Sequence, residues 1–434
     1  MKAQENGSLG GRFGLLRETS FRRLLAGAFV SLTGDQFTLL AMPWLVLKFS
    51  GDAFAVSIVM IVTNLPRILF LLIGGALVDR FSAKRVLVLS LSFNGLLVGL
   101  LALLVMTGRF NMGSVYALAL GIGFATAFSI PSWLAIVRQT MAPEHLTTAN
   151  SIIGSATQIS AVAGPILAGA AITAVGHLDS YGFSELTGLG FAFAVDFGSF
   201  VFALWALFGI ATRPVRQIRQ AGQGTWSDIR DGLRYFWRDR DLRTASLYGV
   251  TIALFVGGPM QVAIPVLAKH WDQGASAFGI ALSASGIGSV VGVALFGIWP
   301  KARFRNIGTT MLLIDFVAGV LIALTGQADG IVQVAFFLAG IGILMGFVQV
   351  MVMTWIQGRV PPQLLGRVMS VFILLMMSVP LLSIGAAGWL MRTMSPSSLI
   401  TLSGLGFILI VLAGLVLTPM STISDLQPAA EHAP

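Results

Sequence analysis

Two long apolar runs are joined by the stretch Gly75-Ala-Leu-Val-Asp79-Arg80-Phe-Ser-Ala-Lys84-Arg85. The small residues at its start allow two helices to approach each other closely. One acid and three bases follow, and basic clusters of this kind mark the cytoplasmic face of a membrane protein. The stretch therefore predicts a tight cytoplasmic turn between two membrane-spanning helices.

The composition of the chain also indicates a membrane protein. Of its 434 residues, 56% are hydrophobic and only 10% are charged, whereas soluble proteins carry about 25% charged residues. The net charge of +9 does not indicate nucleic-acid binding, because the bases lie in alternate loops. The absence of cysteine excludes disulfides, thiolate metal sites and cysteine nucleophiles. The first 20 residues are polar, so we expect no cleaved signal peptide.

Twelve apolar runs are long enough to span a bilayer, which takes about 20 residues per helix. They predict an all-α membrane protein with twelve transmembrane helices in two pseudo-symmetric bundles of six. The predicted divisions are a tail at 1–20, a first bundle at 21–211, a linker at 212–243, a second bundle at 244–418 and a tail at 419–434.

The second half of the linker has the periodicity of an amphipathic helix. Its apolar residues recur at steps of three and four, with arginines between them, at Trp226, Ile229, Leu233, Phe236 and Trp237. Such a helix would lie at the lipid headgroups and hold the two bundles together. The alternative is a solvated linker.

Positive charges predict the orientation in the membrane. Of the 27 Lys and Arg residues, 22 lie in the N-terminal tail and the even-numbered loops, and four lie on the other side. Only Arg67 lies within a span. Because basic residues accumulate on the cytoplasmic side, we expect both termini and the linker to be cytoplasmic.

An internal repeat supports two related halves. Pro143, Leu146 and Ser151 follow span four, and Pro362, Leu365 and Ser370 follow span ten, at one constant offset of 219 residues. Each proline ends one helix, and the short polar run after it opens the next. Parallel repeats joined by a linker are typical of secondary transporters.

The stretch from Gly75 to Arg85 resembles the cytoplasmic signature loop of the major facilitator superfamily. The resemblance extends from about residue 20 to residue 418, and it is strongest to the macrolide-efflux and enterobactin-exporter branch. It is carried by Leu77-Val-Asp79-Arg80, Phe128-Ser-Ile-Pro131, Ala142-Pro-Glu-His-Leu146 and Leu365-Gly-Arg-Val-Met-Ser370. It implies a transporter in the cytoplasmic (inner) membrane of a bacterium.

The resemblance further implies a gate on the cytoplasmic side. Asp79 would face the start of span eleven, where Leu365-Gly366-Arg367 opens a helix, and Arg138 would be its second partner. A carboxylate at a helix N-terminus gains about 0.3–2 kcal/mol. The predicted gate residues are Gly75, Asp79, Arg80, Lys84, Arg85, Arg138, Gly366 and Arg367. The alternative is that these charges only fix the topology.

Span five contains a pattern similar to the antiporter motif of the superfamily, at Ser160, Gly164, Pro165, Ala168 and Gly169. The family prefers glycine where Ser160 and Ala168 stand. The replacement residues are small, so helix packing should survive, but the departure weakens the inference of antiport. The alternative is a motif that only serves kinking and packing.

Four ionisable residues lie inside spans: Asp35, Arg67, Asp196 and Asp315. Each needs a partner or a role, because charge inside a membrane costs about 2.5–3.5 kcal/mol. We predict that Asp35 carries the coupling proton and that Arg67 modulates it, since burial favours a neutral carboxyl and a nearby arginine favours a charged one. The alternative is a permanent ion pair. Asp196 and Asp315 are predicted to be structural.

The superfamily resemblance places spans one, four, seven and ten around the substrate cavity. Flexible methionines and flat aromatic rings suit broad apolar specificity. The predicted lining residues are Gln36, Thr38, Phe128, Met260, Gln261, Gln349 and Met353, and the alternative for each is a packing role. Gly257-Gly258-Pro259 should interrupt span seven and free its backbone groups towards this cavity.

We therefore expect a secondary exporter of amphipathic or lipophilic small molecules that exchanges them for protons. The sequence has no Walker motif, so the energy must come from a gradient. An exporter of one metabolite, such as a siderophore, or a lipid transporter remains the alternative. The four histidines form no enzyme-like motif, and a sensor would need a soluble domain. We expect a monomer in contact with membrane lipid, with no metal, cofactor or nucleic acid.

Overall fold

The computed structural model of the chain describes residues 15–176, 185–210, 225–269, 271, 274–300, 304 and 306–423. Within these ranges, the side chains of 71–77, 79–80, 185, 225–229 and 231 are not described. The described residues form thirteen α-helices: α1 (Thr19–Ser50), α2 (Ala53–Arg80), α3 (Ala83–Met106), α4 (Met112–Thr140), α5 (Leu146–Gly176), α6 (Glu185–Phe208), α7 (Thr225–Arg238), α8 (Arg240–Ala268), α9 (Gly274–Ile298), α10 (Ile307–Thr325), α11 (Ile331–Arg359), α12 (Pro362–Leu390) and α13 (Pro396–Leu417).

Twelve of these helices, all except α7, are long and apolar enough to cross a membrane. The prediction of an all-α protein with twelve spans is therefore confirmed. The repeat prolines lie where the sequence indicates, because Pro143 opens a 3-10 turn before α5 and Pro362 opens α12. Span eleven thus begins five residues before its predicted start near Arg367.

The chain divides into two compact units. The first comprises residues 1–49 and 58–218, and the second comprises residues 50–57 and 219–434. In the first unit, α3 packs against α4 and α6, and α5 packs against α6. In the second unit, α8 packs against α12 and α13, and α9 packs against α11.

Paired glycines bring α9 and α11 into close contact. Gly288 and Gly292 on α9 face the backbone of α11, and Gly342 and Gly346 on α11 face the backbone of α9. A Cβ atom on Gly346 would lie 2.9 Å from Ser289 Cα, which is closer than such atoms approach in proteins. Small residues four apart on each helix are a recognised way to pack helices in a membrane.

The predicted interruption of span seven is wrong, because α8 continues as a helix through Gly257, Gly258 and Pro259. Hydroxyl groups of neighbouring helices form hydrogen bonds with the backbone N–H and C=O groups of this stretch. Ser383 Oγ accepts from Gly258 N at 2.7 Å and donates to Leu254 O at 2.5 Å. Ser403 Oγ donates at 2.5 Å to Phe255 O, a carbonyl that Pro259 cannot bond. These backbone groups therefore bind α12 and α13 rather than a substrate.

The two neighbouring glycines of α8 differ in the space around them, which gives a test of this packing. A Cβ on Gly258 would lie 2.6 Å from Ile384 N, whereas one on Gly257 would make only an ordinary contact, 3.6 Å from Pro380 Cβ. Gly258→Ala should therefore lower the free energy of unfolding by about 1–3 kcal/mol. Gly257→Ala is the matched control and should change it little. Thermal unfolding of the purified protein in detergent measures both, and equal melting temperatures would refute the packing assignment.

Candidate functional site

The predicted gate lies at the turn between α2 and α3. The side chains of Gly75, Asp79 and Arg80 lie outside the described residues, so the predicted Asp79 contact remains a prediction. Lys84 Nζ donates at 2.7 Å to Ile210 O, which follows the end of α6. Lys84 thus binds the carbonyl end of a helix, where a cation is favoured.

The other described bases of the gate are on the surface. Arg85 is exposed near the start of α3, and Arg138 is exposed in the last turn of α4. Arg138 lies at a helix C-terminus, where its positive charge complements the helix dipole. Both side chains are therefore accessible to water or lipid headgroups.

A small hydrophobic cluster lies beneath the turn. Its buried members are Val78, Ala83 and Val86, and Phe128 and Ala135 of α4 pack against them. The ring of Phe128 also contacts that of Phe124, with centroids 5.0 Å apart. Phe128, predicted to line the cavity, therefore packs against the cluster that supports the gate turn.

The start of α12 differs from the predicted gate partner. The helix begins at Pro362, so Gly366 and Arg367 lie in its second turn and do not supply the free N–H groups of a helix N-terminus. Gly366 is exposed, and a Cβ atom there would have no atom of the described residues outside its own helix backbone within 4 Å. Arg367 is half-buried and lies against α7, since a Cβ on Gly232 would be 2.7 Å from Arg367 O.

The linker helix α7 packs against α12, and its described apolar side chains differ in burial. Phe236 is only 2% exposed, while Leu233 and Trp237 are exposed on the same helix. The side chains of Trp226 and Ile229 lie outside the described residues. The described part of α7 therefore presents both a packed residue and an unburied apolar surface, as an interfacial helix does.

A charge network between α8 and α11 was missed in the sequence analysis, which counted Arg359 only as a topological charge. Arg359 Nε lies 2.7 Å from Asp239 Oδ2, and an Arg359 terminal nitrogen lies 3.0 Å from Asp241 Oδ2. The guanidinium also lies 5.4 Å from the centre of the Trp355 ring. Asp239 caps the N-terminus of α8 as well. The sequence signal was the pair of acids Asp239 and Asp241, set among the arginines at the end of the basic stretch.

The antiporter-like motif packs against the helix that carries Asp35. Ser160 Oγ lies 2.9 Å from Thr33 Oγ1 of α1. A Cβ on Gly164 would lie 2.5 Å from Gln36 Cβ and Cγ. Pro165, Ala168 and Gly169 are buried in the same helix, α5. The small residues of the motif thus let α5 lie close to α1, and Gln36 fills the space at Gly164.

Asp35 and Arg67 lie near the middle of α1 and α2 and interact electrostatically. Asp35 is exposed, whereas Arg67 is half-buried. For these two described residues, the contacts include no ion pair within 4.0 Å. Arg67 Nε is buried and has no hydrogen-bond partner among the described residues. The pair is therefore close enough to interact but is not locked together.

The remaining predicted cavity residues are placed differently in the two units. Thr38 of α1 donates its hydroxyl hydrogen to Asp196 Oδ2 of α6. In the second unit, Met260 and Met353 are half-buried, and Gln261 and Gln349 are exposed. A separate apolar cavity of about 460 Å³ lies among α9, α10 and α11. The predicted residues do not line that cavity.

Comparison with known proteins identifies the family. The family model described as Major Facilitator Superfamily matches residues 24–384, which is most of the chain. The chain belongs to the Major Facilitator Superfamily. The resemblance stated from the signature loop is thereby confirmed, and membership in a family of transporters argues against a membrane-embedded enzyme.

Two curated relatives of this facilitator have named activities. The multidrug efflux pump Tap of Mycobacterium tuberculosis (strain ATCC 25618 / H37Rv) is 28% identical over 359 residues, covering 80% of this chain and 81% of Tap. The enterobactin exporter EntS of Escherichia coli O1:K1 / APEC is 23% identical over 414 residues, covering 94% of each chain. EntS is similar to this facilitator over nearly its whole length, and Tap over four fifths of it.

Solved structures of other transporters share the fold. The D323A mutant of the nucleoside transporter NupG has a TM-score of 0.73 at 14% identity, covering 92% of this facilitator and 99% of NupG. A bacterial homolog of the human lysosomal transporter Spinster has a TM-score of 0.64 at 15% identity, covering 95% and 97%. At these identities, the likeness concerns the fold alone.

The ion pairs of Arg359 with Asp239 and Asp241 should stabilise this facilitator, and this can be tested. Arg359→Gln would leave two carboxylates without their cation, so we expect the free energy of unfolding to fall by about 1–3 kcal/mol. Arg240→Gln, in the same stretch, removes one charge from an exposed arginine and should change it by less than about 1 kcal/mol. Thermal unfolding in detergent compares the two variants. An equal effect of both would show that the network contributes nothing specific.

Proposed function

We propose that this facilitator is a secondary active exporter of amphipathic or lipophilic small molecules, working by alternating access in antiport with protons. Its similarity to an efflux pump and to an exporter supports the direction of transport. The absence of a Walker motif from the sequence supports a gradient as the energy source. We place it in the cytoplasmic membrane of a bacterium with both termini cytoplasmic, as the distribution of basic residues favours.

The position of Asp35 is the main support for the proposed proton coupling. An exposed carboxylate at mid-span faces either lipid or water, and lipid is strongly unfavourable for its charge. We therefore propose that Asp35 lies on an aqueous path, where it can exchange a proton with solvent. Arg67 is near enough to bias that exchange and is not fixed in an ion pair.

The proposed substrate class rests on the predicted cavity residues of the second unit. The half-buried Met260 and Met353 and the exposed Gln261 and Gln349 offer soft apolar contacts and few fixed hydrogen bonds, which suits a broad range of lipophilic compounds. A second candidate is export of one specific metabolite such as a siderophore. The match to the enterobactin exporter over 94% of both chains favours it as the alternative.

The turn between α2 and α3 is proposed as a cytoplasmic gate in this cycle. Lys84 anchors the turn to the end of α6, and the cluster of Val78, Ala83 and Val86 supports it from below. Asp79, in the last turn of α2, would form the charge contact that opens and closes with the gate. The facilitator is proposed to work as a monomer in contact with membrane lipid.

Proteoliposomes with an imposed pH gradient test the proposal directly. A panel of fluorescent lipophilic cations and a catecholate siderophore would be offered to the wild type and to Asp35→Asn. We expect the wild type to accumulate at least one probe against its gradient. Asp35→Asn mimics the protonated carboxyl, so it should lose this uphill transport and retain downhill exchange.

Asp329→Asn is the matched control, since Asp329 is an exposed acid between α10 and α11. It should transport as the wild type does. Uphill accumulation by Asp35→Asn with an unchanged pH profile would exclude Asp35 as the coupling residue. Accumulation of the siderophore alone would favour the single-metabolite alternative.

A further inference from the structure

A second carboxylate lies against the helix that carries Asp35. Asp196 of α6 is only 1% exposed. The hydroxyl of Thr38 on α1 donates to its Oδ2, and the hydroxyl of Ser199 is shared between the Asp196 backbone O at 2.7 Å and its Oδ1 at 3.1 Å. Asp196 is therefore attached to α1 rather than directed towards lipid.

The geometry of α1 places Asp196 at the level of Asp35. Asp35 and Thr38 are three residues apart on one helix, so their side chains are neighbours. Gly34 leaves the space that Asp196 occupies, since a Cβ there would lie 2.7 Å from Asp196 Oδ1. The charges of Asp196 and Asp35 interact across this contact.

Few other charges face this pair of acids. Arg67 of α2 interacts with Asp35. Helix α5, which packs on α6, contains no ionisable residue. Helix α3 also packs on α6, but its charged residues, Lys84 and Arg85, lie in its first turn. Apart from Asp196, the ionisable residue of α6 is Glu185, at the start of the helix. Asp35 is thus the acid that interacts with Asp196.

Asp315 shows that a buried acid need not have such a neighbour. It is also nearly fully buried, at 3% exposure, and it accepts a hydrogen bond of 2.9 Å from Tyr248. Among the described residues, its electrostatic interactions include no second carboxylate. Asp315 therefore fits the structural role predicted for both acids, whereas the surroundings of Asp196 do not.

We infer that Asp196 is the second member of the proton-carrying site, so that a proton entering at Asp35 is shared by the Asp35–Asp196 pair. This inference rests on the proposed proton coupling. Two interacting carboxylates, one of them buried, cannot both be charged without cost, and their protons leave in two steps that belong to the pair. Asp35 exchanges protons with water. Asp196 sets how readily Asp35 releases them, which makes it a positioning residue for the transport cycle.

The test measures the pH dependence of the exchange of a fluorescent lipophilic cation in proteoliposomes for the wild type, Asp196→Asn and Asp315→Asn. Replacing Asp196 removes a negative neighbour, so Asp35 should release its proton more readily and the midpoint should move to lower pH by about one unit. Asp315→Asn removes an equally buried acid and should leave the midpoint in place. A purely structural role for Asp196 would reduce the amount of folded protein without moving the midpoint.

Carbodiimide modification keeps the inference testable if Asp196→Asn does not fold. The reagent reacts with protonated carboxyl groups, and mass spectrometry measures its attachment to Asp196 across a pH series. We expect the midpoint of Asp196 modification to differ between the wild type and Asp35→Asn by about one pH unit. Identical midpoints, or an unchanged transport profile in folded Asp196→Asn, would overturn the inference. A wild type without pH-driven accumulation would instead refute the proposed function on which it rests.

Discussion

Polar groups inside a membrane must find their partners within the protein, and this constraint organises the chain. Ser383 and Ser403 satisfy the backbone of α8 around Pro259. Thr38 and Ser199 satisfy Asp196 in the same way. Where the constraint is met, the residues bind helices together. Polar groups that lack such a partner are therefore the candidates for a functional role.

Asp35 and Arg67 are such positions, and both belong to the first unit. Asp35 is exposed at mid-helix, and Arg67 Nε has no hydrogen-bond partner among the described residues. Around them the packing of α1 is tight, since Ser160 and Gly164 of α5 lie against it. We propose that this closely packed helix, with its one exposed acid, is where a proton enters and leaves.

The sequence was sufficient for the fold because its signals are local. Apolar runs and the repeat of Pro143 and Pro362 depend on neighbouring residues, and the structure places helix ends close to where they predict. Contacts between residues far apart in the sequence were harder to predict. The sequence could not show that Ser383, 125 residues away, would satisfy Gly258. It also could not show that Asp196 would face α1, since a peripheral span can direct an acid to either side.

Prolines and glycines also show that contacts with distant residues decide the local structure. The stretch Gly257-Gly258-Pro259 predicts a break when it is considered alone, because proline removes a donor and glycine weakens a helix. In the folded protein the hydroxyl groups of α12 and α13 supply what is missing, and the helix continues. The Arg359 network was missed because its members are about 120 residues apart in sequence.

The central claim is that Asp35 changes its protonation state during transport. Infrared difference spectroscopy of the protein in lipid, taken across the physiological pH range, measures this directly through the carbonyl stretch of a protonated carboxylic acid. The account predicts a pH-dependent band in the wild type that disappears in Asp35→Asn. A spectrum in which Asp35 stays charged at every pH, as a permanent partner of Arg67 would, contradicts it.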